Sequence, residues 1–182
     1  MYVKRLVITG YRSYELGIFQ ENDPKIAIIK KVLTSQIKQF IEEGYQWFLI
    51  GGALGVEIWA GQVLVELKKE YAEVNLGIVF PYQDFGIKWN EKNKNQLADL
   101  LRDADFVDSV SHSTYQNKTQ FQNHTRFLLS HSDGCFLIYD EEFAGKCQSF
   151  FEDARVYKES QNYFIAQITM DDLQNSLLDN GF

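Results

Sequence analysis

Trp47-Phe48-Leu49-Ile50-Gly51-Gly52-Ala53-Leu54-Gly55-Val56-Glu57 is the stretch that decides the fold. An apolar run meets a glycine turn, and an amphipathic segment begins near Leu54. Strand, turn and helix start in this order bring bare backbone N–H groups up to a ligand. Glycine turns with φ > 0 and leaves no Cβ in the way. The helix N-terminus adds unpaired donors and partial positive charge. A glutamate in the first helical turn is the unusual feature.

Outward from this turn, strand-like and helix-like patterns alternate. Tyr2 to Thr9 reads as a first strand and Gly10 to Asp23 as a polar, aromatic loop. Pro24 then opens a helix capped by Asp23 and ended by Gly44. Tyr45 to Ile50 is the second strand and Leu54 to Tyr71 the second helix. Val74 to Phe80 is a strand, Trp89 to Arg102 a mostly polar helix, and Asp105 to Val110 a short fourth strand. Asn117 to Ser132 reads as a helix and Gly134 to Tyr139 as a fifth strand. Phe150 to Ser160 is a helix, Tyr163 to Thr169 a sixth strand, and Met170 to Leu178 a last helix capped by Thr169. Near-continuous apolar strands separated by helices mean a parallel sheet covered on both faces. The expectation is one Rossmann-like, three-layer, doubly wound α/β domain over residues 1–182, with right-handed crossovers. The expected strand order is 3-2-1-4-5, with strand six beyond five.

A chain of 182 residues suits one domain with a sizeable core. The net charge of −7 argues against a broad nucleic-acid surface, which needs a basic face. It leaves room for a small anion pocket. Cys135 reads as a buried strand residue and Cys147 lies near a helix start. Their spacing has no metal signature, and both are expected as free thiols in a reducing cytoplasm. The N-terminus lacks signal-peptide architecture, and no apolar run nears the roughly 20 residues of a membrane span. A cytoplasmic protein without a membrane partner is the expectation.

Ligands of such sheets bind outside the carboxyl ends of the strands, near the switch point. There the chain places Thr9-Gly10-Tyr11-Arg12, Gly51-Gly52, Pro81-Tyr82 and Tyr139-Asp140-Glu141-Glu142. Gly51-Gly52-x-x-Gly55 is part of a dinucleotide fingerprint, without its G-x-G spacing or its later acidic residue. Arg12 suits a phosphate clamp through its planar fork, or a loop pair with Glu15. Glu57 in the first turn gains about 0.3–1 kcal/mol from the helix dipole. It also suits a contact to sugar hydroxyls, a general base, or a stabiliser of an oxocarbenium-like sugar. Tyr11, Tyr14, Phe19, Tyr82, Phe85, Trp89 and Tyr115 lie in or beside loops, to stack a base or to cover the sheet end. Gln120, Asn123 and Arg126 recur at one helical face, toward the crevice or toward water. The three histidines have no metal-ligand spacing, and neither a serine elbow nor a P-loop is present.

The same residues carry a family resemblance. Thr9-Gly10-Tyr11-Arg12, Glu15-Leu16-Gly17-Ile18-Phe19, Gly55-Val56-Glu57-Ile58-Trp59-Ala60, Ser132-Asp133-Gly134 and Ile168-Thr169-Met170-Asp171-Asp172-Leu173 resemble the YpsA family of Firmicutes over essentially the whole chain. That family stands within the SMF/DprA–LOG superfamily of Rossmann-like proteins. The resemblance implies a nucleotide or nucleotide-derived ligand, ADP-ribose-like compounds among the candidates, at the strand ends. It also implies a link to cell-division and stress control. Gly52 and Glu57 match pocket positions of the family, and Ala53 stands where a glutamine is common.

The related LOG enzymes cleave nucleoside monophosphates, using a Pro-Gly-Gly-x-Gly-Thr-x-x-Glu turn after strand five. Here the corresponding stretch is Asp140-Glu141-Glu142-Phe143-Ala144-Gly145-Lys146-Cys147, without that turn or its threonine and with added negative charge. The expectation is therefore a sensor with little or no catalysis, acting through a cell-division partner. No further cofactor and no metal are expected, and a homodimer is compatible with the chain. Candidate ligand residues are Gly10, Arg12, Gly51, Gly52, Gly55, Glu57, Pro81, Arg126 and Asp140. The alternatives are an N-glycoside hydrolase of LOG type using Glu57, and a single-strand DNA binder of DprA type. The acidic balance counts against the latter.

Overall fold

A computed structural model describes residues 2–179. The elements alternate as β1 (Lys4–Gly10), a 3-10 turn (Ser13–Leu16), α1 (Pro24–Glu42), β2 (Tyr45–Ile50), α2 (Val56–Leu67), β3 (Asn75–Phe80) and α3 (Glu91–Asp103). Next come β4 (Phe106–Ser109), α4 (Thr119–Ser130), β5 (Gly134–Ile138), α5 (Gln148–Ser160), β6 (Phe164–Ile168) and α6 (Met170–Asp179). The six strands form one all-parallel sheet. On one face α6, α1, α2 and α3 lie side by side, and α4 and α5 pair on the other. This is the three-layer α/β architecture that the sequence pattern implies.

Local chemistry sets the element ends. Asp23 caps α1 through the Lys25 N–H at 2.9 Å, and Pro24 occupies the first turn. Asn90 caps α3 through Asn93. Thr169 and Asp172 cap α6 reciprocally: the Asp172 carboxylate accepts from the Thr169 N–H, and the Asp172 N–H donates to the Thr169 hydroxyl. The second helix begins at Val56, two residues later than its amphipathic pattern suggests, because Gly55 adopts φ 107°.

The strand order is 4-3-2-1-5-6, which corrects the expected 3-2-1-4-5-6. Strand four does not sit between β1 and β5; it pairs with β3 at the sheet edge. The reason is its composition. An inner strand must be apolar on both faces, yet Phe106 and Val107 are nearly half exposed and Asp108 and Ser109 follow. Asp105 pins it there: its carboxylate accepts from the Leu76 N–H and pairs with Lys68 at 2.6 Å. Strand β5, wholly buried, takes the place beside β1, with Leu6 opposite Gly134 and Ile8 opposite Phe136. The chain thus runs outward through β2, β3 and β4, then returns to the other side of β1. The switch point lies between β1 and β5, where a ligand crevice is expected.

One apolar cluster on both faces of the sheet contains Leu6, Ile8, Leu33, Phe48, Leu64, Ile78 and Phe136. Cys135 belongs to it, and both cysteines are free and buried. No described helix is long and apolar enough to cross a membrane.

Gly55 is needed twice over. Its φ of 107° disfavours any side chain, and an added Cβ would stand 2.5 Å from the Tyr11 carbonyl oxygen. Gly17 also has positive φ, at 68°, but a Cβ there meets only the tip of Lys25. Urea unfolding should therefore separate the two. Gly17→Ala should cost about 1 kcal/mol of backbone strain. Gly55→Ala should cost about 3 kcal/mol, since overlap with rigid backbone adds to that strain.

Candidate functional site

A cavity of about 540 Å³ opens at the carboxyl ends of β1 and β2 and is closed by α4 and the start of α5. Its floor includes Thr9 and Gly51, and its rim includes Tyr14, Phe85, Trp89 and Phe121. The volume lies within the usual range for small-molecule sites.

Glu57 is the polar centre of the floor and only 5% exposed. Its Oε1 accepts from the Gly51 N–H at 2.6 Å. Its Oε2 accepts from the Thr9 hydroxyl at 3.0 Å and from Arg12 Nη1 at 3.1 Å. Arg12 also donates to the Gly10 carbonyl at 3.2 Å. Of the two roles open to Arg12, a pair with Glu15 is not the one observed; Glu15 takes the Arg12 backbone N–H instead, at 2.7 Å. The Arg12 side chain remains 26% exposed, so its fork reaches the cavity while one edge is fixed.

Two further groups of donors line the same wall. After β2, the N–H groups of Ala53 and Leu54 meet no acceptor among the described residues. After β5, the same holds for Ser149 and Phe150 in the first turn of α5. Ala53 and Phe150 are buried residues, Leu54 is half-buried and Ser149 is exposed. Lys146 stands beside the second group and makes no ion pair among the described residues. Donors and cations thus predominate on this wall.

Tyr11 holds the two loops together. Its carbonyl accepts from the Val56 N–H, the first amide of α2. Its hydroxyl donates to the Phe143 carbonyl at 2.7 Å and accepts from the Asp140 N–H at 2.9 Å. Burial pushes this phenol up to about 12, so it stays protonated. Glu15 adds a second tie, accepting from the Lys146 N–H at 2.9 Å.

The sequence-derived site residues divide. Arg12, Gly51 and Glu57 meet on the cavity wall. Gly10 lies behind it, where a Cβ would strike the Ile138 carbonyl at 2.6 Å. Gly52 packs on the Phe80 ring, and Gly55 on the loop after β1. Pro81 follows β3, and its carbonyl receives the Ser111 N–H. Asp140 faces away, accepting from the Glu142 N–H at 3.0 Å and from the Met170 N–H at the start of α6 at 3.1 Å. Arg126 is exposed, donates to Asn123, and lines a different groove between α4 and α5. Gln120 is buried and spends its amide on the Ser111–Asn117 loop.

The face of α4 that lines the cavity is instead Phe121, His124, Thr125 and Leu128. Their i, i+3, i+4, i+7 spacing was available in the sequence. His124 donates Nε2–H to the Val79 carbonyl at 2.6 Å, which fixes its tautomer because a carbonyl only accepts. Burial lowers its pKa from 6.5, against the opposing pull of that bond and of Glu57. Cys147 also touches the cavity, but burial raises its thiol to about 12 and removes its nucleophilic form. No group of described residues could hold a metal ion.

Comparison with known proteins follows this geometry. The family model for YpsA, described as the YspA SLOG family, matches residues 6–173. The chain belongs to that family. A UPF0398 protein of Enterococcus faecalis is 52% identical over 177 residues, covering 97% of this chain and 98% of its own. A UPF0398 protein of Lacticaseibacillus casei is 43% identical over 173 residues, 95% of this chain and 91% of the relative. One from Staphylococcus saprophyticus is 38% identical over 177 residues, covering 97% and 94%. Ala53, where the family resemblance expects a glutamine, lies on the cavity wall, so this departure leaves a methyl group there in place of a side-chain amide.

Two outcomes follow from the floor. Arg12→Ala should lower stability by about 2 kcal/mol in urea unfolding, because Glu57 keeps only neutral donors. That is less than the roughly 3–5 kcal/mol of a fully buried pair, since Arg12 is about one-quarter exposed. His124 supplies a pH signature. Its folded pKa is depressed, so its contribution to stability is full above about pH 6.5. That contribution is lost as pH falls from 6.5 through the folded pKa. Unfolding measured across this window should show a slope that His124→Gln removes.

Proposed function

We propose that this protein binds a nucleotide-derived small molecule in the cavity between β1, β2, α4 and α5, as a sensor rather than a catalyst. The observation that carries the reading is the pairing of chemistries on one wall. Four unpaired amides, Arg12 and Lys146 suit a phosphate or diphosphate. Tyr14, Phe85, Trp89 and Phe121 suit a base. Membership of the SLOG family supports a nucleotide-related ligand.

Glu57 supports binding over N-glycoside hydrolysis. A carboxylate that stabilises a developing sugar cation needs an oxygen facing the sugar. Both oxygens of Glu57 already accept from protein donors, one of them cationic, which fixes the carboxylate and offsets its charge. Its role in this reading is to hold Arg12 and the Gly51 turn. The link to cell-division control rests on the family resemblance, and the output is a protein partner. The net charge of −7 weighs against single-stranded DNA as the ligand.

Thermal shift and calorimetry with AMP, ADP, NAD and ADP-ribose test the proposal. A ligand at 100 times its Kd should stabilise the protein by about 2.7 kcal/mol. Adenosine should bind more weakly than AMP. Lys146→Glu should leave apo stability within about 0.5 kcal/mol, as an exposed side chain without an ion pair, yet weaken AMP by about tenfold or more. No shift with any of the four compounds ends the proposal. Release of free base from AMP above a Glu57→Ala control would restore the hydrolase reading.

A further inference from the structure

His124 offers the cavity a lone pair, where Arg12 and Lys146 on the same wall offer protons. Its Nε2–H is committed to Val79, so Nδ1 carries a lone pair and no proton. Every buried side-chain nitrogen or oxygen among the described residues has a partner, yet Nδ1 has none. It therefore faces open space, and His124 lines the cavity. The ring is held hard against the floor: a Cβ on Gly51 would lie 2.8 Å from His124 Cε1 and 2.9 Å from Glu57 Oε1. The charged groups that act on it are Glu57, from α2, and Arg12, after β1. They are already paired with each other.

We propose that His124 is a specificity-determining residue, whose Nδ1 accepts a hydrogen bond from an O–H or N–H donor of the bound ligand. The inference rests on the nucleotide-ligand reading. The amides, the Arg12 guanidinium and the Lys146 ammonium seek lone pairs on the ligand, the hydroxyls of Tyr14, Thr125 and Ser149 serve either sense, and Glu57 accepts from protein donors. Nδ1 seeks the reverse. The ligand must then present acceptors toward the amides and a donor toward α4. A nucleotide has two sources of such a donor, a ribose hydroxyl and an exocyclic base amine. Burial favours the neutral ring, so the acceptor persists at neutral pH. An analogue without the donor leaves Nδ1 unpaired, and unmade bonds to buried groups discriminate more strongly than made ones.

The two substitutions at this position separate the two nitrogens. The amide nitrogen of His124→Gln reaches the place of Nε2, so the Val79 bond is kept and the acceptor is lost. The amide of His124→Asn reaches the place of Nδ1, so an acceptor oxygen is kept and the Val79 bond is lost.

Calorimetry should compare AMP with 2′-deoxy-AMP, 3′-deoxy-AMP and IMP on the whole chain. The first two remove a ribose hydroxyl and IMP removes the base amine, so the three arms tell the sources apart. One of them should bind the unsubstituted protein about fivefold or more weakly than AMP. That gap should fall below about twofold in His124→Gln and persist in His124→Asn. In the unsubstituted protein, AMP should also move the nitrogen-15 resonance of Nδ1, and the discriminated analogue should not. This readout serves if His124→Gln does not fold. Equal binding of all four compounds, a gap untouched by His124→Gln, or an unmoved Nδ1 resonance overturns the assignment while leaving nucleotide binding intact. Failure of AMP itself to bind overturns the nucleotide-ligand reading and this inference with it.

Discussion

The structure of the site depends on one buried carboxylate. Glu57 gathers the Gly51 amide, the Thr9 hydroxyl and the Arg12 guanidinium, and so joins the ends of β1 and β2 to the first turn of α2. A lone buried charge would cost several kcal/mol. Three donors, one of them a cation, make it tolerable, and the floor of the cavity then has a single arrangement. The glycine turn before α2 is shaped by this demand. Gly51 leaves no Cβ because Glu57 and His124 already occupy that space.

The helix that carries Glu57 is consequently a poor anion site at its own N-terminus. Its first amide is taken by Tyr11 and its first turn carries a negative group. The N–H groups of Ala53 and Leu54 before α2, of Glu57 in its first turn, and of Ser149 and Phe150 in α5 meet no acceptor among the described residues. The stretch after β5 leads into a helix whose first-turn residues Ser149 and Phe150 line the cavity.

The sequence was most legible where composition admitted one solution. The apolar runs of β1, β2, β3 and β5 could only be inner parallel strands, and caps at Asp23 and Thr169 followed from local chemistry. The place of β4 was misread because a short run with two apolar residues resembles any strand until its neighbours are known. Its polar end and exposed Phe106 were the signal. In the site, Arg12 and Glu57 were legible as odd residues at strand ends, but their mutual pairing was not, since 45 residues separate them. Gly10, Gly52 and Gly55 are expected at the ligand, and the structure gives each a close-packed neighbour that a Cβ would strike. Asp140 was read as facing the ligand, whereas it caps α6, a tertiary contact 30 residues away. His124 was missed because the polar residues of α4 drew attention to the Gln120, Asn123 and Arg126 face.

Tyr11 gives the cavity a property that none of its wall residues has. One side chain and one carbonyl of the same residue hold both amide-bearing loops. The separation between those loops is therefore set by a rigid phenol and backbone, not by rotamers that relax around a guest. Such a frame works as a caliper: it fixes the width between the loop after β2 and the loop after β5.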